Sequence, residues 1–471
     1  PDAESCWSNF SFSNGQGTLN QTAVLQLTNW GYTPLQTKYT GMNGYAATYQ
    51  ITASVRALNT PFNVVSAVQQ QLQVASIPIF GFAVFYALDM EICPGSAFAI
   101  TGRTHGNGNV YLDPSAPLTF RSHVTSAQSI LLGESPQDPT IRSLSSVTFQ
   151  GEHDGVVNSL NLPLGTNNTT AGLQAIVQIP PASESPSSPL GQQRYYNKAD
   201  LIILVSNATV TATSGTYNNF SVSIPWSELN KFMDTNSTFY DLRENMYMQT
   251  TQIDINKLRN EYNHLTTLLG RAPQIYYIAD LRTQSYYTEP AVRLINGQTL
   301  PPNGLTIATP DPLYVQGNFN APSAYLGTTN TTMTLPASLV ADAITVLSDN
   351  WNDNRAWWPL SYRNASATTV NAAILAGIVP SNGYYYSGGV ENFLRLLENW
   401  TGRTLTFNGS IVVLYPSQIA IGPWGASNYV FSTPNRNWSF DPNFQNASKL
   451  PAGTPRARTV IRSAWTAIQG T

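Results

Sequence analysis

The chain has 471 residues, 10% of them charged, and a formal net charge of -3. An ordinary soluble domain carries about 25% charged residues; here Asn, Thr, Ser, Gln and Gly fill the gap, and only five of the basic residues are lysine. With no basic excess to neutralise phosphates, nucleic acid is excluded as a partner, and 42% hydrophobic residues exclude a disordered chain.

Residues 1–75 form an N-terminal β-rich segment. Tyr45–Val55 (YAATYQITASV) alternates as a strand does, and one helix is expected around Asn63–Leu72. Residues 76–178 form the first part of a β core, opening on the most apolar run, ASIPIFGFAVFYAL (Ala75–Leu88). That run holds Pro78 and Gly81 and is shorter than the ~20 residues of a membrane-spanning helix, so it is expected to be buried strand or core, and no membrane span is expected.

Residues 179–290 are expected to form a Pro/Ser-rich loop (Ile179–Gln193) followed by an α/β insertion. Its apolar run Leu201–Val205 predicts a strand buried on both faces, and the alternating Ala208–Thr213 follows it. Helices are expected at PWSELNKFM, with Pro225 at its start, and at IDINKLRNEYNHLTTLLG, with Leu258, Tyr262, Leu265 and Leu268 on one face and Gly270 as C-cap. SLVADAITVL and VENFLRLLENW are shorter helix candidates. Residues 291–471 return to short β runs and form the second part of the core.

No repeat of fixed period stands out, but phrases recur. Leu118-Thr119-Phe120, Val147-Thr148-Phe149 and Leu405-Thr406-Phe407 share one pattern. Corners of Asn or Gln plus Gly precede apolar runs at Asn107-Gly108, Asn303-Gly304, Gln316-Gly317 and Asn408-Gly409. Both residue types tolerate positive φ at small cost. Such corners serve either as hairpin turns or as bends between solenoid coils. THGNGNVYL permits both, a hairpin pairing Thr101–Arg103 with Val110–Leu112 or a bend leading to the next coil. GLTIATPDPLYVQGNFN reads better as successive rungs. The expected fold is therefore mainly β with a few helices, an irregular β-solenoid or stacked β core with long insertions; antiparallel sandwich-like domains are the alternative.

Candidate chemistry is sparse. The only cysteines, Cys6 and Cys93, exclude a four-cysteine zinc site and, in an exported chain, are expected to form one disulfide. The histidines are His105, His123, His153 and His264. A metal site joining His105 and His123 with Glu152, His153 or Asp154 lacks the tight spacing of a metal motif, so His153 reads as a turn residue and His264 as helix surface. Asp349 and Asp353 in SDNWNDNRAWW lack the Gly and Glu of a calcium loop; a polar turn is expected, with Trp357 and Trp358 anchoring a core. Asp113, Asp154, Asp200 and Asp311 could supply the carboxylate pair of a polysaccharide-cleaving enzyme, but no acid pair shares a strand face. No G-x-S-x-G elbow occurs, and a strand rather than a helix follows GNGN, against a phosphate cradle. Neither catalytic residues nor a cofactor nor a metal is expected. Thirteen N-x-[ST] sequons, among them Asn9, Asn207, Asn364 and Asn437, occur at the rate such a composition produces by chance.

Several phrases carry a resemblance when taken in order: IPIFGFAVFYALDMEICPG, TGRTHGNGNVYL, RYYNKADLIILVSN, GLTIATPDPLYVQGNFN, and the close NRNWSFDPNF with KLPAGTPRARTVIRSAW. From about residue 50 to the end the chain resembles the PilX-type pilus-assembly, or pilin-like, exported proteins of environmental Gram-negative bacteria. The resemblance implies export with a prepilin-type leader, an N-terminal hydrophobic helix and a large extracellular β part; it implies no catalytic residues. The chain starts at Pro1 without leader or hydrophobic helix, so a processed product is expected. The function expected is a non-enzymatic structural or interaction protein at the cell surface, partnered by itself or other pilus subunits. A glycan-binding adhesin is the alternative, and a polysaccharide-degrading β-helix enzyme comes third.

Overall fold

In a computed structural model the described residues are 8–16, 18–61, 65–215, 221–425 and 427–469. They fall into two compact units, residues 1–78 with 456–471, and residues 79–455. The first unit is one antiparallel sheet. Its spine is the long pair Asn43–Ala57 and Val65–Pro78, with Phe10–Ser13, Ala23–Gln26 and Gly31–Pro34 on one side and Arg456–Gln469 on the other. The helix expected around Asn63–Leu72 is a strand from Val65 onward, because its polar run VQQQLQV alternates across two faces of the sheet.

The second unit is a parallel β-solenoid, and its axial sheet fixes everything else. In chain order the parallel strands of that sheet are β1 (Val84–Tyr86), β2 (Thr104–Gly106), β3 (Val124–Ser126), β4 (His153–Asp154), β5 (Leu201–Val205), β6 (Ile275–Asp280), β7 (Leu305–Ala308), β8 (Ala337–Ala341), β9 (Thr368–Ala376) and β10 (Thr404–Val413). In space they run β4-β3-β2-β1-β10-β9-β8-β7-β6-β5. The last strand of the second series thus pairs with the first strand of the first, Ile411 opposite Val84 through Val413 opposite Tyr86. Both series climb in the same sense, so the solenoid is continuous although the chain order is permuted. Gly155–Asp200 returns the chain from the β4 end to the β5 end.

Within the first series a coil is three strands of three residues. Val84, Thr104 and Val124 share one register column; Met90, Val110 and Ile130 share a second; Phe98, Leu118 and Val147 share a third. These columns repeat every 20 residues until the insertion between Gly133 and Val147 delays the third one. A fixed period therefore exists where the sequence suggested none. The phrases Leu118–Phe120 and Val147–Phe149 are neighbouring rungs, whereas Leu405–Phe407 lies in the axial sheet. In the second series each axial strand alternates with a strand of another parallel sheet: Met246–Asp254, Thr288–Ile295, Leu313–Gln316, Ile344–Leu347 and Arg395–Leu396.

THGNGN is a solenoid bend, with Asn107–Asn109 as the corner and no hairpin. Asn303-Gly304 and Gln316-Gly317 are corners too, with φ of +85° and +81° at the glycines. Asn408-Gly409 is not a corner but lies inside β10, where a Cβ on Gly409 would stand 1.9 Å from the Ala372 carbonyl oxygen. The glycine there permits close approach of backbones rather than a turn. SLVADAITVL is two strands (Ala337–Ala341 and Ile344–Leu347), and VENFLRLLENW is a 3-10 turn at Val390–Asn392 followed by Arg395–Leu396. The predicted long helix forms at Ile255–Leu269, with Asp254 accepting from the Lys257 amide and Gly270 left-handed as C-cap.

β9 and β10 are buried along nearly their whole length, which explains their continuous apolar runs. Polar side chains inside this sheet pair with one another along the axis. Asn408 donates to the Asn371 Oδ1 at 2.8 Å, Asn371 donates to the Asn320 carbonyl at 2.9 Å, and Ser439 donates to the Asn408 Oδ1 at 2.8 Å. Replacing Asn371 by Leu keeps the branched shape but adds bulk and strips partners from buried groups on both neighbouring coils. Asn371→Leu is expected to lower the unfolding free energy by about 2–4 kcal/mol, read from urea titration; a loss below ~0.5 kcal/mol would show the ladder to be neutral.

Candidate functional site

Two places in the solenoid combine exposure with unusual chemistry: the seam where β10 meets β1, and the outermost rung at the β4 end. The seam is a consequence of the permuted order. The axial sheet passes through it unbroken, but the second sheet stops at Arg395–Leu396 and another three-stranded sheet begins at Met90–Ile92, with no pairing between them. The turn Val390–Asn392 packs on Met90–Ile92 instead. A cavity of about 220 Å³ opens there, lined by Asp89, Glu91, Arg243, Ser387, Phe393 and Arg395 among others.

The charged groups of the seam are held by specific partners. The Glu91 carboxylate accepts from Ser381 Oγ at 2.8 Å and from Ser387 Oγ. Glu391, fully buried, accepts from the Cys93 amide and from Tyr386 Oη, each at 3.2 Å. Burial pushes its carboxyl up to about 7. Arg395 pairs with Glu244 and donates to the Ala420 carbonyl. Arg243 uses its Nε on the Gly422 carbonyl at 3.0 Å, and among the described residues its two terminal nitrogens have no partner. Burial, with the like charge of Arg395 adding, pulls the Arg243 guanidinium down to about 9. Beside the cavity Arg142 pairs with Asp138 at 2.6 Å and Asp113 at 3.2 Å and lies 4.2 Å over the Tyr386 ring.

At the other place, Ile130–Leu132, Val147–Phe149 and His153–Asp154 each end a sheet, so each leaves one edge unpaired. Leu131, Leu132, Ile141, Leu144 and Val156 are exposed there, Leu132 to 65% and Val156 to 85%. The opposite end is closed differently. Val210–Ser214 runs antiparallel on β5, Met233–Asp241 runs antiparallel on Met246–Asp254, and the helix Ile255–Leu269 packs Leu258 and Leu265 into the core.

The histidines do not assemble. His105 is buried within β2, stacked 5.4 Å from Phe85, with Nδ1 2.8 Å from Thr125 Oγ1 and Nε2 3.0 Å from Asn107 Oδ1. Burial pulls its imidazole down to about 4, so it is a neutral core residue rather than part of the corner. Asn107 also reads the Leu160 backbone through both amide atoms, fixing the returning segment. His153 is in a strand, not a turn, stacked 4.2 Å from Phe149, and His123 faces Glu152 at 3.6 Å. His264 is on the helix surface and bonds Glu228; with Glu261 these two form the one metal-like cluster among the described residues. The Lys231 ammonium, 2.6 Å from Glu228 and 3.5 Å from Glu261, already supplies its cation.

The four acids considered for polysaccharide cleavage are dispersed. Asp113 serves Arg142, Asp200 holds Arg271 and the amides of Gln274 and Ile275, and Asp154 lies in β4. Asp311 is buried at a corner of successive coils shared with Asp280 and Asp342: it accepts from the Asp280 amide at 2.7 Å, and its carbonyl takes the Asp342 amide at 3.2 Å. Asp353 pairs with Arg293 at 2.7 Å, and Asp349 takes a bond from Asn318. Trp357 is 63% exposed and anchors no core; Trp351 and Trp400 do. Cys93 is buried, as a thiol pushed up to about 12 by burial and Glu391, and its expected partner Cys6 lies outside the described residues. Among the sequons Asn408 is fully buried and Asn364 is exposed.

No protein-family model and no curated protein matches the chain. Among solved structures, the competence-associated pilin ComZ from Thermus thermophilus aligns over 96% of this chain and 89% of its own, at 11% identity and a TM-score of 0.37. A likeness of that depth carries no inference about fold or role.

The buried carboxyls dictate a pH dependence. Burial pushes Asp311 up to about 8 and Glu391 and Glu398 up to about 7, so the folded state favours their neutral forms. Their unfolded values lie near ~4. The stability they contribute is therefore complete below ~4 and is lost as pH rises through 7 to 8, at about 1.4 kcal/mol per pH unit for each group between its two values. The melting temperature is expected to fall from pH 5.5 to pH 8.5, and Asp311→Asn to flatten that fall. A melting temperature that climbs over this range would contradict the assignment.

Proposed function

We propose that this chain is an exported, non-enzymatic surface subunit of the pilin-like class, which associates with further copies of itself through the open rung of its solenoid. The observation that carries the proposal is the asymmetry of the solenoid ends. One end is closed by antiparallel strands and a helix, while the other presents three unpaired sheet edges flanked by exposed leucine, isoleucine and valine. Stacked-repeat proteins need polar capping elements to remain monomeric, and an uncovered edge is a template for another strand. The low charge and the ordered phrases shared with pilin-like proteins support the same assignment.

Light scattering of the purified chain across ~1–100 µM is expected to give a mass that rises with concentration. Leu132→Lys with Val156→Lys puts charge on the open rung and is expected to leave a monomer with an unchanged melting temperature. A wild-type chain that stays monomeric throughout would overturn the proposal, as would a double variant that associates equally well.

One surface favours a second role. Exposed Trp357 and Tyr362 flank Trp358 edge to face, with ring centroids 6.3 and 5.5 Å from its own, so separate aromatic faces reach solvent at right angles to Trp358. Such faces stack on sugar rings, the chemistry of a glycan-binding adhesin. Glycan-array binding that Trp357→Ala reduces at least ~10-fold would establish this role, and an array without signal would remove it.

A further inference from the structure

We propose that the seam cavity binds a small zwitterion of the α-amino acid type, with its carboxylate on Arg243, its ammonium on Glu91 and an apolar side chain against the cavity wall.

The cavity's two charged poles are unequal in how they are satisfied. Every other arginine of the seam is spoken for: Arg395 by Glu244 and the Ala420 carbonyl, and Arg142 by Asp113 and Asp138. Arg243 alone among them lines the cavity with two terminal nitrogens that, among the described residues, bond no carboxylate, although Glu244 and Asp241 lie near enough to offset part of the like charge of Arg395. A guanidinium in that position matches a carboxylate bidentately. Glu91, which also lines the cavity, is buried, and among the described residues its carboxylate is bonded by two serine hydroxyls and by no cation. Asp89, which also lines the cavity, uses Oδ1 on the Asn109 amide, so the second oxygen is available to the same donor.

Beside these charged groups and several serine and amide side chains, the lining is apolar, contributed by Leu88, Ile378, Val379, Pro380, Phe393 and Pro416. A neutral sugar would leave Arg243 unpaired and set hydroxyls against that wall. A plain anion would leave Glu91 uncompensated, and a plain cation would leave Arg243 so. Only a ligand bearing both charges and an apolar portion satisfies all three. The volume, about 220 Å³, lies below the ~300–1,000 Å³ of drug-sized sites and holds one such molecule. Because the cavity joins the first coil of one series, the last coil of the other and the turn between Met233–Asp241 and Met246–Asp254 that carries Arg243, a ligand there would bridge all three.

The probes are L-leucine, leucinamide (no carboxylate), 4-methylpentanoate (no ammonium) and glucuronate. Titration calorimetry on the full chain is expected to show leucine binding, with leucinamide and 4-methylpentanoate each at least ~10-fold weaker. Arg243→Met is expected to abolish the preference for leucine over leucinamide, and Glu91→Gln the preference over 4-methylpentanoate. Should either variant misfold, ligand-induced change in the wild-type melting temperature with the four probes is sufficient. No leucine binding at ~10 mM, equal binding of leucine and its two truncated analogues, or binding of glucuronate alone would each overturn the proposal.

Discussion

The parallel pairing of Ile411–Val413 with Val84–Tyr86 is the contact on which the rest of the solenoid depends. Each series of coils, taken alone, would end in an unpaired parallel edge at this point. Parallel sheets are stable only when both faces are covered, and neither series is long enough to hide its own ends. Joining them end to end removes two edges at once and lets one largely apolar column run along the axis, from Val124 through Thr104, Val84, Ile411, Ile374, Leu339, Ile307 and Tyr276 to Leu201. The loop-closure entropy of the long return from β4 to β5 grows only logarithmically with its length. The returning segment is also held on the way, by Asn107 on the Leu160 backbone and by Tyr277 Oη on the Val177 carbonyl at 2.8 Å.

A coiled parallel chain must turn sharply many times, and each turn leaves backbone donors near the core that need partners. Carboxyls fill that need here. Asp342 accepts the amides of Gln418, Ile419 and Ala420; Glu398 accepts the Ser348 amide and hydroxyl; Asp311 accepts the Asp280 amide. The same corner position on three coils carries Asp280, Asp311 and Asp342, so acids stack along the axis with the coil. Asp280 holds Arg282 at 2.8 Å. Burial above all, with neighbouring carboxyls adding at Asp311, is why Asp311 and Asp342 resist ionisation and why acid rather than alkali favours the fold.

The sequence carried the fold class because corners and rungs are local chemistry. Asn-Gly and Gln-Gly mark positive φ wherever the glycine lies between strands, as at Gly304 and Gly317. The same pair at Asn408-Gly409 serves close approach instead, and nothing local separates the two uses. The 20-residue columns were hidden by their own tolerance: Val84, Thr104 and Val124 share burial, not identity, and the insertion before Val147 breaks the count after two coils. Ala337–Ala341 and Ile344–Leu347 passed for a helix because a short, wholly buried strand has no face to alternate. The core role of His105 was not legible because its partners Phe85 and Thr125 are neighbours only through the coil. The seam cavity was out of reach altogether, since Glu91, Arg243 and Arg395 come from three distant parts of the chain.

That last failure follows from topology rather than from weak signals. In a solenoid wound in simple chain order, neighbouring coils are neighbours in sequence, and any groove between them inherits the repeat. A permuted solenoid has one junction where this does not hold. At that junction the axial strands can still pair, because the last three residues of β10 match the three-residue rung of β1, but the remaining sheets differ in number and do not pair. The mismatch leaves space, and the side chains around it are freed from the repeat's demand for apolar columns. Polar and charged groups can therefore collect at the seam, as Glu91, Arg243 and Arg395 do, without disturbing the coils on either side. The binding site proposed at the seam and the association surface proposed at the β4 end therefore lie in separate parts of one continuous core.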